Sequence, residues 1–206
     1  GWNSWNCWGG SVSAEKVLSS ARAMAAKGLA DHGWSYINID DGWQGVRGGE
    51  FGAIQGNRKF PDMGALADSV HALGLKIGIY STPWRGSYEG HIGSSGDNAH
   101  GTYDWIVAGQ ANEDMRHRDY ENGRNKQWTF GKHSFAVNDA RQWAAWGFDY
   151  LKYDWNPNDV PHVEEMAGAR RGSGRDIALS LSNSAPFESA GELSALAQCW
   201  RTTGDI

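Results

Sequence analysis

Short β-favouring runs alternate along the chain with segments whose apolar residues recur at helical spacing. The helical periodicity predicts four helices, at 13–27, 63–73, 134–146 and 188–197. A proline-containing turn at 156–161 predicts a fifth helix directly after it. The apolar runs between these segments predict strands at 2–5, 36–40, 76–80, 150–154, 177–182 and from 199 onward. Strict alternation of strand and helix indicates a parallel sheet, either closed into a barrel or doubly wound.

Acidic residues at the strand ends decide between these two architectures. Asp40 and Asp41 end the second strand, Asp154 ends the fourth, and Asp205 lies at the end of the sixth. In an open sheet, ligands bind at a switch point, and strands this far apart diverge. In a closed barrel, all strand carboxyl ends face one mouth. We therefore predict an α/β fold, a (β/α)₈ TIM barrel whose carboxylates converge on one ligand.

The chain is shorter than a complete barrel of this kind. A full barrel needs about 250 residues, whereas the 206 residues here supply six of the eight β-α units. We expect residues 1–206 to form part of one catalytic barrel, and this segment alone to be unstable because its sheet edges would stay open. The long insertion at 81–133 follows the third strand. Two interpretations of it stay open, a specificity lid and a structural subdomain.

Composition narrows the classes of partner. The net charge is −5, with no basic cluster, which argues against nucleic-acid binding, and no apolar run has transmembrane length. The scattered histidines and two distant cysteines, Cys7 and Cys199, give no metal or disulfide spacing, so we expect no metal, no cofactor, and free, buried thiols. Several of the 12 tryptophans stand in polar, glycine-rich settings, which are typical of an indole that packs against the apolar face of a sugar. We expect about half of them to be core residues at junctions between loops and barrel instead.

The run from Tyr150 to Asn156 carries the most chemical information. Side chains two apart on a strand share a face, so Lys152 and Asp154 point the same way. A buried ammonium and carboxylate are costly unless they pair or do chemistry. A nearby cation keeps a carboxylate ionised, and an ionised carboxylate at a strand end is a usable nucleophile. A structural salt bridge is the alternative interpretation, and the run by itself does not decide.

Five motifs in order resemble glycoside hydrolase family 27, the α-galactosidase/melibiase group. The residues that carry this resemblance are 1–6, 36–43, 59–61 with 74–80, 146–154 and 200–206. The resemblance implies a retaining exo-hydrolase that removes terminal α-D-galactosyl residues by double displacement. It implies that Asp154 is the nucleophile and Asp205 the general acid/base. The substrate-binding residues that it implies are Trp5, Asp40, Asp41, Lys152 and Arg201.

One segment departs from the family pattern. Residues 180–187 carry no glutamate where animal-type α-galactosidases have one, so the preference at the sugar 2-position stays open. Here we expect Ser182 and Ser184 to contact the substrate. The alternatives are an α-N-acetylgalactosaminidase, a β-L-arabinopyranosidase, an isomaltodextranase, or a non-catalytic sugar-binding barrel. In each case the partner is an oligosaccharide or glycoconjugate, and the resemblance implies a secreted or periplasmic protein of undetermined oligomeric state.

Overall fold

Six parallel strands form the central sheet of the computed structural model, which describes residues 1–101 and 116–204. The strands are β1 (Trp2–Asn3), β2 (Tyr36–Asn38), β3 (Lys76–Ser81), β4 (Tyr150–Tyr153), β5 (Ala178–Leu181) and β6 (Cys199–Trp200). Their spatial order is their order along the chain, and every neighbouring pair is parallel. A doubly wound sheet reverses its strand order at a switch point. This sheet does not, so the structure favours the barrel, and the count of eight units stays a prediction.

Helices cover the outer face of this sheet, as the periodicity predicts. They are α1 (Ala14–Ala26), α2 (Met63–His71), α3 (Ala136–Trp146), α4 (Val160–Arg171) and α5 (Ala190–Leu196). Ser13 caps α1 by accepting a bond from the amide of Lys16 at 3.3 Å, as expected of a serine at that position. Shorter helical turns cover Trp5–Trp8, Gly9–Ser11, Leu29–His32 and Phe187–Ser189.

The strands separate an apolar outer face from a polar inner face. Outward residues such as Ile37, Ile79 and Leu151 are fully buried between sheet and helices. The inward residues one position away include Asn38 and Lys152, which line a cavity. Because successive strand residues point to opposite faces, the alternation that builds the core also places polar groups inside the barrel.

Among the described residues, three antiparallel strand pairs interrupt the β-α pattern, and the sequence did not predict them. They pair Gln44–Gly48 with Ala53–Gly56, Ser95–Gly96 with His133–Ser134, and Tyr120–Glu121 with Arg124–Asn125. The first is tied to α3 by Arg47, whose Nη1 and Nη2 donate to the two carboxylate oxygens of Asp139 at 2.6 and 3.0 Å. Both members of this pair are buried, so the hairpin is held as firmly as the core.

Two composition-based expectations have different outcomes here. Cys7 and Cys199 are free, as expected, but both are exposed, so the expectation of burial is wrong. Cys199 lies on the short sixth strand, where only one neighbouring strand pairs with it among the described residues. Within residues 1–101 and 116–204, no helix has the length and apolarity to cross a membrane.

The crowded inner face of β3 gives the first prediction. A Cβ added at Gly78 would lie 2.8 Å from Cγ of Asn38 and 2.9 Å from Cδ1 of Tyr150. Because neither contact can relax without moving the inner face, Gly78→Ala should reduce the free energy of unfolding by about 1–3 kcal/mol. Gly168→Ala is the matched control. It lies exposed within α4 with nothing near its added Cβ, and it should gain about 0.5–1 kcal/mol. Urea denaturation of the intact protein measures both, and equal midpoints for the two variants would contradict this packing.

Candidate active site

A cavity of about 870 Å³ opens at the carboxyl ends of the strands. Residues from all six strands or the loops after them contribute to its wall. The sequence-predicted residues that line it are Trp5, Asp40, Asp41, Lys152, Asp154 and Arg201. Asp205 lies outside the described residues, although its neighbours Thr203 and Gly204 also line the cavity. Side chains more than 100 residues apart in sequence are thus brought to one mouth, as the barrel predicts.

Lys152 lies between two carboxylates at the floor of this cavity. Its Nζ donates to Oδ2 of Asp40 at 2.8 Å and lies 3.6 Å from Oδ2 of Asp154. It also lies 5.3 Å from the ring centroid of Tyr80, which faces the same interior from β3. Burial would lower the pKa of Lys152, but the charges of Asp40 and Asp154 outweigh it and raise the pKa. Lys152 is therefore a permanent cation that joins β2 to β4.

The electrostatics of Asp154 differ from the sequence-based expectation. Burial raises the pKa of Asp154 and the charge of Asp40 adds to this effect, while Lys152, Arg201 and a hydrogen bond from Ser182 oppose it. The net direction is upward. The reason is geometric, because the ammonium of Lys152 lies closer to Asp40 than to Asp154. Lys152 therefore stabilises the ionised form of Asp154 only in part.

Asp41 holds the insertion in place and has few free acceptor positions. Its Oδ1 accepts from Nε2 of Gln44 at 3.0 Å and lies 3.2 Å from Nδ1 of the fully buried His91. Its Oδ2 accepts from the backbone amide of Glu89 at 3.0 Å. Burial would raise the pKa of Asp41, but the bond and charge of His91, with the Glu89 amide and Ser87, lower it below its usual value. The carboxylate is thus ionised and largely saturated by protein donors.

The structure does not place Ser182 or Ser184 on the cavity wall. The hydroxyl of Ser182 is buried and donates to the carbonyl of Trp155 at 2.9 Å. The backbone carbonyl of Ser184 accepts from the amide of Asn158 at 3.0 Å. Both residues brace the turn that follows β4, and Asn183 between them faces the cavity instead. Direct contact of Ser182 and Ser184 with the substrate stays a prediction, since Ser182 also acts on Asp154 and the hydroxyl of Ser184 lies 3.5 Å from Oδ1 of Asn183.

Tyr80 and Tyr88 line the cavity, and the sequence analysis did not identify either one. Tyr80 shares the inner face with Gly78, so the period-two pattern of β3 could have found it. Its hydroxyl is buried without a partner among the described residues. Burial raises its pKa strongly, and the charges of Asp41 and Asp154 add to this effect, so the hydroxyl keeps its proton and is a donor. Tyr88 lies in the irregular insertion, where no periodicity marks it.

The described residues hold no cluster suited to a metal ion. No group of three or more His, Cys, Asp or Glu side chains converges within 1–101 and 116–204. The donor set at the mouth consists instead of carboxylates neutralised by a lysine and an arginine. Such a set is suited to hydroxyl recognition and to chemistry at a carboxylate oxygen.

Comparison with known proteins agrees with this geometry. An α-galactosidase A from Cellvibrio japonicus is 35% identical over 217 residues, which cover 100% of this chain and 43% of the relative. The crystal structure of α-galactosidase I from Mortierella vinacea matches the whole chain with a TM-score of 0.74 at 28% identity, over 45% of its own length. An α-galactosidase from Saccharomyces cerevisiae, solved with raffinose, matches with a TM-score of 0.74 at 25% identity, over 39% of its length.

The chain spans less than half the length of these relatives. The family model described as Alpha galactosidase A (Melibiase_2) matches residues 6–110, just over half of the chain. This region includes Asp40 and Asp41 at the end of β2, the whole of β3 and the first part of the insertion. The resemblance to the α-galactosidase/melibiase group is confirmed, and the chain belongs to the Melibiase_2 family.

Proposed function

We propose that the protein is a retaining exo-glycoside hydrolase that removes terminal α-D-galactosyl residues from oligosaccharides or glycoconjugates. The observation that carries the proposal is the arrangement of Asp40, Lys152 and Asp154 at the floor of the cavity. It sets a buried carboxylate of raised pKa beside a fixed cation at a strand end. The α-galactosidase names of the relatives support the substrate class, as does the raffinose complex, because raffinose ends in an α-galactosyl unit.

In the proposed reaction, an Asp154 oxygen attacks the anomeric carbon while the glycosidic bond breaks. The departing oxygen takes a proton from Asp205, and a covalent glycosyl-enzyme forms. Water then attacks the anomeric carbon and gives its proton to Asp205, and the ester bond to Asp154 breaks. Two inversions leave the configuration unchanged. Thr203 and Gly204, which precede Asp205 in the sequence, line the same cavity, and this supports the proposal.

The charge balance of the site suits this sequence of steps. Before attack, the charges of Lys152 and Arg201 limit the rise in the pKa of Asp154 that burial and Asp40 cause. Once Asp154 is glycosylated, its charge is gone. A nearby acid then loses a source of repulsion, its pKa falls, and it becomes a base. The same residue, Asp205, would in this way serve both half-reactions.

The wall supplies groups of the kind that bind a sugar. Trp5 offers an apolar platform, and the hydroxyl of Tyr80 is a buried donor aimed at the interior. Asp40 accepts charge-assisted hydrogen bonds with the acceptor capacity that Lys152 leaves free. We propose that Arg201 either binds a hydroxyl or positions Asp205.

A panel of chromogenic glycosides tests the specificity. We expect the intact protein to cleave 4-nitrophenyl α-D-galactopyranoside faster than the corresponding N-acetylgalactosaminide, β-L-arabinopyranoside or glucoside. Preference for the N-acetylgalactosaminide would identify the alternative in which the open segment around Asn183 accommodates a 2-acetamido group. Binding of galactose without cleavage of any member would favour the non-catalytic barrel.

Product stereochemistry tests the proposed mechanism. Proton NMR of the early reaction should show α-galactose as the sugar first released, before mutarotation, because the mechanism retains configuration. First release of β-galactose would require a single displacement and would contradict a covalent role for Asp154.

Asp154→Asn should separate activity from stability. We expect kcat to fall by several orders of magnitude because covalent catalysis is lost. Yet the melting temperature at pH 7 should rise. The folded state raises the pKa of Asp154, so ionisation destabilises it as pH climbs from the unfolded pKa through the folded one. The neutral amide avoids this cost, and Lys152 keeps its bond to Asp40.

Asp149→Asn is the matched control, at the other end of β4. Burial would raise the pKa of Asp149, but bonds from His71, the Ile77 amide and Arg175 lower it. Its stabilising contribution is present above the unfolded pKa and is lost as pH falls through the folded one. This variant should therefore melt below wild type at pH 7. If Asp154→Asn also melts below wild type at pH 7, the inference that ionised Asp154 destabilises the folded state is contradicted.

Asp205→Ala tests the acid/base role. A leaving group of high pKa needs a proton donor, whereas an activated aryl leaving group does not. We expect the kcat/KM for raffinose to fall about 10²-fold or more, and the kcat/KM for a dinitrophenyl galactoside, which reports the first half-reaction alone, to fall much less. Equal losses on the two substrates would indicate that Asp205 binds the sugar and does not transfer a proton.

A further inference from the structure

The first part of the insertion forms a tight turn at the cavity rim. In the turn Ser87–His91, the amide of Gly90 donates to the carbonyl of Ser87 at 3.1 Å, and the amide of Ser87 donates to the carbonyl of His91 at 2.7 Å. The Ser87 hydroxyl accepts from the His91 amide at 3.0 Å. Gly90 has φ of +88°, which favours glycine. The turn is thus closed on itself, and its contacts with the rest of the protein set its position.

Asp41 provides that attachment. The amide of Glu89 donates to one oxygen of Asp41, and His91 lies against the other. The charge and burial of these groups make the connection strong, because a charge-assisted bond in a buried setting is worth more than a surface one. Asp41 therefore positions this turn relative to the end of β2.

Tyr88 is the side chain that the turn presents to the cavity. Its ring packs against Trp84 and Trp128, with centroids 5.3 and 5.2 Å apart. The indole Nε1 of Trp128 donates to the carbonyl of Ser87 at 3.1 Å, so the aromatic support is itself bonded to the turn. Tyr88 thus packs against two stacked tryptophans and forms an aromatic wall of the cavity.

We propose that Tyr88 is a specificity-determining residue that contacts the C5–C6 edge of the sugar, with Asp41 and His91 as its positioning residues. This inference rests on the proposed function, which places the anomeric carbon at Asp154. A pyranose bound by both Asp154 and Asp40 would extend towards the end of β2. The turn Ser87–His91 is attached there through Asp41. Tyr88 lines the same cavity as Asp40 and Asp154. The C6 methylene is the one CH₂ group of a galactosyl unit, and an aromatic face favours it over the ring hydroxyls.

Three glycosides test this contact, because they differ only at C6. A β-L-arabinopyranoside is an α-D-galactopyranoside that lacks C6, and an α-D-fucopyranoside keeps C6 as a methyl group. Tyr88→Ala should lower kcat/KM about 10- to 100-fold for the 4-nitrophenyl galactoside and fucoside. It should change the value for the arabinopyranoside by less than about threefold. Tyr88→Phe, which keeps the ring, should leave the ratios near those of wild type.

Two further variants complete the experiment, one at the positioning residue His91 and one at a tyrosine far from the cavity. His91→Leu should shift the galactoside to arabinopyranoside ratio in the same direction as Tyr88→Ala, whereas a general loss of folding would lower both substrates together. Tyr120→Ala, in an exposed hairpin of the same insertion, should change neither.

The possible results distinguish a failure of the role of Tyr88 from a failure of the proposed function. If wild type cleaves the galactoside but Tyr88→Ala lowers all three substrates equally, or none, the specificity role is overturned. If the fucoside follows the arabinopyranoside, the apolar contact is overturned. If wild type cleaves no α-galactoside, the proposed function itself fails and the inference falls with it.

Discussion

The bond between Lys152 and Asp40 is the constraint on which the cavity depends. It joins the ends of β2 and β4 across the intervening strand β3. A buried ion pair is costly to assemble and strongly destabilising when one partner is removed. This pair therefore contributes little to net stability, and its main effect is to fix Asp40 and Lys152 relative to each other. Because the ammonium of Lys152 lies closer to Asp40 than to Asp154, it neutralises the charge of Asp154 only in part.

That incomplete neutralisation has a chemical use. A carboxylate held tightly by a cation is a weak nucleophile, whereas one that is buried and only partly paired is more reactive once ionised. The raised pKa of Asp154 shows that the folded chain disfavours its charge. Asp149, which precedes the same strand, shows the opposite, since His71 and Arg175 hold it with bonds of 2.8 and 2.6 Å. The ionised form of Asp149, before β4, is thus favoured by the folded state, whereas that of Asp154, after β4, is disfavoured.

Sequence patterns predicted the parts of the site that depend on strand periodicity. The period of two places Lys152 and Asp154 on one face, and the β-α alternation brings Asp40 to the same mouth, because these relations depend only on local backbone geometry. The helices could also be predicted, because their periodicity and caps depend on local sequence, and Ser13 caps the first one. The predicted strands β2 and β6 are shorter in the structure, ending at Asn38 and Trp200.

Contacts that depend on irregular segments could not be predicted in this way. The saturation of Asp41 requires His91 and Glu89, which lie about 50 residues further on in a segment without periodicity. Ser182 was expected to contact the substrate, but its buried hydroxyl donates to the carbonyl of Trp155, which also accepts a bond from the side chain of Asn158. In both cases a buried polar group must find a partner, and the partner is decided by tertiary packing.

The described part of the insertion bonds to itself and also lines the cavity, so a specificity lid and a structural subdomain both stay open as interpretations. Arg85 shows the supporting role, since its Nη1 donates to both carboxylate oxygens of Asp97 and its Nη2 to the carbonyl of Lys126, which ties the segment to itself. The same rigidity keeps Tyr88 at a constant distance from the floor formed by Asp40. A pocket discriminates between sugars that differ by one carbon only if its wall does not yield. A self-bonded insertion that is anchored to the barrel through Asp41 meets this requirement, whereas a mobile flap would relax around either sugar.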